Sequence, residues 1–528
     1  MKGKILFVWP HIENFGFHSL AIAMLSAICK KNGYETRLLD TTEVKFDFDV
    51  DTNNPQETAR MFKPTNIIEL YGSKKEIKLE EYFMNVYKQF SPDIIAISIL
   101  SDERFVARDF VNIVRSINKT IPIVVGGKYP TIKQEKMFEE MDVDYVCVGE
   151  GVEAFPELIA AIFDGLDTTK VENFIVKQKN GSFVKNVVRP LKKSIDDLPY
   201  FDFDIFDRKH FYRPYDGNIY ISGSHMLNWG CPYHCSYCIN SFYHVMYDKK
   251  YFLRRYSVNR IIDELVYLKD RFNLQFFKFY DEDFLMRPLD NLKELSEEYR
   301  KRINLPFTIE TNPKSVTREK AELLLAMNCV SASLAIETGN SLLRKNVLKR
   351  VDTREDIIRS FHLLKDIGIR TSSFNMLGLP FETRETYMDT VELNRDADVN
   401  YPVAGFFYPY ESTLLREISI REGFYKPLMD ESKICRSNVP ALEFSNLTEE
   451  ELIEMRNVFT LYIKLPKTFI PYIKRSEKMD DVGKKVRVFL FDIFDRLVFC
   501  NNGWYKDDGN EAVYLAELEK IASSGSTN

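Results

Sequence analysis

The chain has 528 residues, 45% hydrophobic and 28% charged, a balance ordinary for globular protein. That length exceeds what one hydrophobic core serves, so roughly two to four domains are expected. The net charge of −6 supplies no basic field for nucleic acid, and no apolar run is long enough to span a bilayer. The N-terminus, Met1-Lys2-Gly3-Lys4-Ile5-Leu6-Phe7-Val8, is charged then apolar. Trp9-Pro10-His11 ends that run too early for a signal peptide, so it reads as a first strand.

Residues 1–165 alternate short apolar runs with helical patterns. Strands are expected at Ile5–Val8, Thr36–Leu39, Ile94–Ile99, Ile123–Val125 and Tyr145–Val148. Helices are expected near Ser19–Lys31, Leu79–Phe90, Phe105–Ile117, Ile132–Glu139 and Ala154–Phe163. This order predicts a parallel sheet covered on both faces, with a ligand at the carboxyl edge of its strands. Three loops there carry Ser98-Ile99-Leu100-Ser101, Gly126-Gly127-Lys128 and Gly149-Glu150-Gly151, and paired glycines let a backbone approach a bulky ligand. Residues 41–80 interrupt the pattern with Phe46-Asp47-Phe48-Asp49-Val50-Asp51, read as a solvated loop with calcium as the minor alternative, in an insertion placed to cap the ligand edge or to lie away from it.

Residues 166–215 read as a linker. It holds a hairpin, Phe174–Lys177 with Phe183–Val187, turning near Asn180-Gly181, then the Pro- and Asp-rich connector Asp196–Asp202. Six further strand-helix units occupy residues 216–420, with strands at Asn218–Ser222, Phe276–Tyr280, Phe307–Glu310, Ala332–Ile336, Arg370–Asn375 and Ala404–Tyr408. They predict a partial (β/α)6 barrel whose active site lies at the strands' carboxyl ends. After the first of these strands comes Gly230-Cys231-Pro232-Tyr233-His234-Cys235-Ser236-Tyr237-Cys238, a C-x3-C-x2-C triplet. Three thiolates this close can each bind one iron of a four-iron, four-sulfur cluster and leave the fourth iron open to a small molecule. Zinc is the alternative, with His234 or His244 as fourth ligand. The other five cysteines are scattered, which suits buried thiols in a reducing cytoplasm.

The triplet, with Tyr237 before its last cysteine, resembles the signature of the radical S-adenosylmethionine (SAM) enzymes. The stretch from Pro92 to Gly151 resembles the cobalamin-binding domain found ahead of many of them. The resemblance implies a flavodoxin- or Rossmann-like cobalamin domain, a TIM-type radical SAM barrel and a mostly helical region over 421–528. It implies a cluster on Cys231, Cys235 and Cys238, SAM chelated to the open iron, and a 5'-deoxyadenosyl radical formed by reductive cleavage. By the same resemblance Asp281 and Asp283 face the SAM amino group and Glu337 takes the ribose hydroxyls. Lys349 or Arg350 pairs with the SAM carboxylate, and Asn375, Leu377 and Gly378 cradle adenine through backbone and apolar contacts. Ser98, Leu100, Gly126, Gly127, Lys128, Gly149 and Glu150 are the corresponding candidates for cobalamin. Two departures stand out. Pro10-His11-Ile12-Glu13-Asn14-Phe15-Gly16 lacks the Asp-x-His-x-x-Gly pattern that supplies cobalt with a histidine, so His11 reads as a loop residue. Tyr410, Glu411 and Ser412 depart from the Pro-x-Pro-Gly-Thr segment of cobalamin-linked members.

The carboxyl-terminal region shows amphipathic stretches at Glu449–Leu465 and Val486–Phe499, the latter read as a packing face because positive charge around it is sparse. Cys435 sits in a polar loop as an idle thiol, and the tail after Ser523 is expected to be disordered. The architecture implies a methyltransferase that moves a methyl from methylcobalamin to carbon or phosphorus of a small-molecule or lipid-like substrate. A non-methylating rearrangement or cyclisation with the same cofactors is the alternative, and a non-catalytic metal-binding protein the third reading. An electron donor such as flavodoxin or ferredoxin is the implied partner. No side chain is singled out as a catalytic acid, base or nucleophile.

Overall fold

The computed structural model describes residues 2–46, 59–63, 65–426 and 439–524. The acidic run Asp47–Asp51, Cys435 and the last four residues of the tail lie outside them. Five short aliphatic runs form parallel strands: β1 (Lys4–Trp9), β2 (Glu35–Asp40), β3 (Ile94–Ser98), β4 (Ile123–Gly126) and β5 (Tyr145–Cys147). Ile5, Leu6, Val8, Ile94, Ile95, Ile123 and Val125 are buried completely, as strands sandwiched between two helical layers must be. The hydrogen-bonded order is β2-β1-β3-β4-β5. It reverses direction between β1 and β3, and such a switch point opens a crevice beyond the carboxyl ends of the strands.

The hairpin expected in the linker belongs to this sheet. β6 (Phe174–Lys177) pairs antiparallel with β5, and β7 (Phe183–Lys185) closes the edge. The reason is apolar: Phe174, Ile175 and Val176 are buried against the first core, whereas β7 is a short edge ending in lysine. One helix also differs from expectation. Gly127 starts a helix early, at Lys128–Lys133, and Gln134 at φ 52° ends it before a separate turn at Met137–Glu140.

The second sheet contains β8 (Tyr212–Tyr215), β9 (Asn218–His225), β12 (Phe276–Phe279), β13 (Phe307–Thr311), β14 (Cys329–Glu337), β15 (Arg370–Leu377) and β16 (Tyr401–Phe406). Six of them run parallel in the order β16-β15-β14-β13-β12-β9, and β8 adds to β9 antiparallel. β16 and β8 do not pair, so the sheet is an open half-barrel. A small ribbon, β10 (Asn228–Trp229) with β11 (Arg254–Arg255), flanks the cysteine loop. Each crossover helix starts on a side-chain cap where the chain offers one; Ser257 accepts from Arg260 N–H at 3.3 Å and Thr353 makes a full capping box with Asp356.

The carboxyl-terminal helices pack outside the far wall. Leu452, Phe459, Leu490 and Phe494 join one core with Leu377, Val403 and Phe406. Phe491, Ile493 and Phe494 are buried there, so this stretch is a packing face. Part of the insertion in the first domain also reaches this core. Ala59 and Met61 are buried in it, Thr460 Oγ1 donates to Ala59 O at 2.7 Å, and Arg60 pairs with Asp495 at 2.9 Å.

Candidate active site

The three cysteines lie between β10 and the helix Ile239–Met246, at the carboxyl edge of the half-barrel. Gly230 opens the loop at φ 89°, and a Cβ there would stand 2.2 Å from Phe252 O, so the sharp entry requires glycine. The loop is bolted at its middle. Ser236 N–H donates to Leu348 O at 3.0 Å, its hydroxyl donates to Val347 O at 2.6 Å, and its carbonyl accepts from Leu415 N–H at 2.9 Å. Burial pushes the Cys231 thiol up to about 12 and Cys238 up to about 11. Asn240 N–H, in the first turn of the following helix, favours the Cys238 thiolate. Glu282 and the other two thiols further oppose ionisation of Cys231.

The acids at the tip of β12 divide by strand parity. Asp281 and Asp283 continue the side of Phe279, which faces the helices, and both are completely buried. Asp281 accepts from Leu227 N–H (3.1 Å) and from Asn228 through both N–H (2.7 Å) and Nδ2 (2.6 Å), and burial pushes it up to about 6. Asp283 accepts from Thr311 Oγ1 at 2.6 Å and Ser315 Oγ at 2.5 Å. Tyr233 of the cysteine loop also donates its hydroxyl to Asp283 at 3.5 Å, so both carboxylates brace neighbouring loops. Glu282 continues the other side, shared with Lys278 and Tyr280. It is exposed, and its charge reaches Cys231, Cys238 and Tyr243. Glu282 is the acid of this triplet that faces the cysteines.

Glu337 ends β14 at φ 62°, after a register shift between Ala335 and Glu337. A left-handed, non-glycine residue at a strand end stores strain that surrounding contacts must hold. Here Tyr237 donates its hydroxyl to Glu337 Oε1 at 3.0 Å, and the Arg350 guanidinium lies 3.9 Å away. Burial pushes the Glu337 carboxyl above its usual range and Arg350 opposes the shift. Lys349 is exposed at φ 55° while Arg350 is buried, so the two bases that sequence leaves equivalent face different environments.

Parity matters again on β15. Asn375 and Leu377 fall on the helix side. Asn375 donates to Ser373 Oγ and Val403 O at 2.9 Å and accepts from Asn394 Nδ2 at 2.8 Å. Leu377 is buried under the carboxyl-terminal helices, and its carbonyl accepts from Phe407 N–H at 2.8 Å. Neither side chain reaches the concave face, which takes Phe374 and Met376 instead. Gly378, at φ 71°, donates its N–H to Glu382 Oε2 at 2.5 Å, and burial pushes Glu382 up to about 7. After β16, Glu411 pairs with Lys133 of the first domain at 2.8 Å, which gives the departure at this position a structural use.

The first domain presents its three loops to the same edge. Ser98 ends β3 and Leu100 follows it, exposed, with its N–H held by Glu103 Oε2 at 2.9 Å. Gly127, at φ 107°, lets β4's loop pass so close that a Cβ would stand 2.7 Å from Ile99 O. Gly126 ends β4 beside it, and Lys128 is exposed with its charge reaching Cys238. Gly149 and Glu150 are covered. Tyr247 accepts Glu150 N–H at 2.8 Å above Gly149, and Arg254 pairs with the Glu150 carboxylate at 2.8 Å. His11 is buried, stacked on Trp9 at 4.1 Å, with Nδ1 3.5 Å from Glu103.

Two family models match the chain: the B12 binding domain over residues 14–159 and the radical SAM superfamily over residues 229–393. The chain is a radical SAM protein with a B12-binding domain. An uncharacterized methyltransferase of Pyrococcus horikoshii is 24% identical over 73% of this chain and 82% of its own length. The anaerobic magnesium-protoporphyrin IX monomethyl ester cyclase of Rubrivivax gelatinosus is 23% identical over 77% of this chain and 72% of its own. Among solved structures, the cobalamin-dependent SAM radical enzyme OxsB with aqua-cobalamin and SAM bound shares the fold. It aligns with a TM-score of 0.64 at 14% identity, covering 99% of this chain and 75% of OxsB.

A radical SAM domain holds a four-iron, four-sulfur cluster and SAM, and the domain ahead of it holds cobalamin. The cysteines fit the cluster by their donor set and spacing. Among the described residues no three His, Cys, Asp or Glu side chains gather round a single ion, as mononuclear zinc would require. Thiols that each serve a different iron have no such need.

Two outcomes follow from these environments. Thiols raised to about 11 and 12 must lose protons to bind iron, so cluster assembly is expected to improve as pH rises from 7 to 9. Iron content and visible absorbance after anaerobic reconstitution at the two pH values check this. Asp281→Ala leaves three buried donors without an acceptor and is expected to cost about 3 kcal/mol, read as a lower Tm and unfolding midpoint.

Proposed function

We propose that this protein is a cobalamin-dependent radical SAM methyltransferase acting on a small molecule. The observation that carries the proposal is the convergence of the cysteine loop, Glu337 and the three loops of the B12-binding domain on one edge of the half-barrel. When bound, the cluster with SAM supplies a 5'-deoxyadenosyl radical and cobalamin carries the methyl group. Cys231, Cys235 and Cys238 hold the cluster. Glu337, fixed by Tyr237, accepts the ribose hydroxyls, because a carboxylate can take both at once. Glu282 meets the amino group of SAM from the lumen side of β12. Ser98, Leu100, Gly126, Gly127 and Lys128 line the cobalamin edge, and Gly149 and Glu150 join the first domain to the cluster-bearing segment.

Beside Phe374 and Met376, the concave face between these edges carries polar pairs. Lys278 pairs with Glu310 at 2.7 Å, and Ser333 bonds Ser372 at 2.9 Å. Those groups favour a substrate with hydrogen-bonding atoms over a purely lipid-like one. Among the described residues no helix is long and apolar enough to cross a membrane. A one-electron donor such as flavodoxin or ferredoxin completes the system. The relationship to the ester cyclase supports a second reading, radical chemistry without methyl transfer.

Anaerobic reconstitution with iron, sulfide and hydroxocobalamin, followed by reductant and SAM, separates these readings by product mass. 5'-Deoxyadenosine with retained cobalamin is expected, and Cys235→Ala should abolish its formation. S-adenosylhomocysteine in the same mixture marks methyl transfer; its absence throughout a substrate screen that yields another product favours the second reading. Loss of cobalamin on washing refutes the assignment of the first domain's edge. Glu337→Gln should weaken SAM binding roughly tenfold, the order expected when a charged hydrogen-bond acceptor becomes neutral, while iron content stays constant.

A further inference from the structure

Among the described residues, the strand positions that face into the half-barrel carry three cations, and two of them are neutralised. Lys278 pairs with Glu310 at 2.7 Å. Arg370 pairs with Asp216 at 2.9 Å and lies 4.4 and 4.8 Å from the ring centres of Tyr215 and Tyr401. The third is Arg213 of β8, which is half-buried. Strand alternation puts it on the face of Tyr215, whose ring packs 5.1 Å from Phe276, on the Lys278 side of β12. Nη1 of Arg213 donates to the Tyr280 hydroxyl at 2.8 Å and to Gly16 O, in the loop after β1, at 3.2 Å. Ser222 and Ser224 of the intervening β9 are short enough to let it pass. Among the described residues no carboxylate pairs with this guanidinium. Its Nε and Nη2 make no hydrogen bond, and neither atom is sealed from solvent.

The surroundings leave the charge unmatched. On the barrel side, Lys278 stands 5.3 Å from the ring centre of the same Tyr280, and Glu310 is held by Lys278. From the first domain come Phe17, 5.4 Å from the guanidinium, and His18, whose Nδ1 lies 3.1 Å from Ser224 Oγ. Tyr71 donates its hydroxyl to Tyr212 O at 2.7 Å beside them. None of these three carries a negative charge. The carboxylates at the strand ends are engaged elsewhere, Glu282 toward the cysteines and Glu337 with Tyr237 and Arg350. Nε and Nη2 form one side of the guanidinium fork, two parallel donors spaced for the oxygens of a carboxylate or phosphate.

We propose that Arg213 binds the substrate's anionic group, a carboxylate or a phosphate, through this open edge. The inference rests on the proposed function and narrows its substrate to an anionic small molecule. Tyr280 and Gly16 hold the guanidinium before the anion arrives, so little side-chain freedom is lost on binding. Gly16 belongs to the B12-binding domain and Tyr280 to the barrel, so the anion is gripped where the two domains meet.

The experiment measures inorganic phosphate and acetate binding to the reconstituted full chain by equilibrium dialysis at constant ionic strength. Cobalamin and SAM affinities are taken in parallel, for wild type, Arg213→Gln and Arg213→Lys. Wild type should bind at least one of the two anions saturably, Arg213→Gln about tenfold more weakly, and Arg213→Lys in between. Absence of saturable binding in wild type, or an unchanged affinity in Arg213→Gln, overturns the proposal. Cobalamin and SAM affinities should change less than threefold. A tenfold loss of either in Arg213→Gln overturns it too, and assigns the guanidinium to the phosphodiester of cobalamin or the carboxylate of SAM. If the variants do not fold, phenylglyoxal modification of wild-type Arg213, read on its peptide by mass spectrometry, decides. Phosphate or acetate should slow that modification at least fivefold, and no protection by either overturns the proposal. A wild-type protein that binds the anions through Arg213 but neither cobalamin nor SAM upholds the anion site and removes the proposed function instead.

Discussion

Ser236 makes three hydrogen bonds, two to the segment after β14 and one from the helix after β16. They tie the middle of the cysteine-rich loop to both sides of the open half-barrel. A loop of this kind has few apolar contacts of its own, so without such anchors its three thiols would sample many arrangements. The anchoring also brings Tyr237 down onto Glu337 and Arg350. The strained φ of Glu337 persists because that buried network holds it from the other end. The geometry of the cysteines and the geometry of the carboxylate beside them are therefore one property of the fold.

The same economy governs how the domains meet. The loop after β5 rests against Tyr247, only nine residues beyond the last cysteine of the triplet. Lys133, at the end of the first helix after the Gly-Gly turn, reaches Glu411 beyond the last barrel strand. Ala59 and Met61 sit in the core of the carboxyl-terminal helices. These three contacts, well separated in sequence, help to hold the B12-binding domain against the rest of the chain.

Much of this architecture is legible in the amino-acid order. Buried parallel strands read as unbroken aliphatic runs, and the crossovers read as amphipathic helices, because those patterns follow directly from which faces are covered. The strand ends are harder. The side chains of Asp281, Asp283, Asn375 and Leu377 fall on the face that packs toward the helices, since a strand turns successive residues to opposite faces. Extending the alternation of Phe279 by two and four residues, and that of Thr371 and Ser373 likewise, separates Glu282, Phe374 and Met376 from the braced set. The bulge at Glu337 shows where such counting stops working, because a register shift resets the parity. The difference between Lys349 and Arg350 is tertiary: Arg350 is held by Tyr237, more than a hundred residues earlier, together with Ala335 and Asp352. The hairpin's attachment to the first sheet is likewise a matter of which edge its apolar strand can cover.

Gly149 packs against Tyr247 so closely that any Cβ at that position would lie 1.9 Å from the phenolic oxygen. The two residues belong to different domains, one to the edge of the cobalamin sheet and one to the helix that leaves the cysteine loop. Their fit makes the halves of this protein non-interchangeable with those of a relative unless both positions travel together. In a hybrid, a tyrosine from one parent facing a substituted glycine from the other would wedge the sheet edge away from the cluster. Recombination at the linker alone would therefore separate two positions that the interface requires to match.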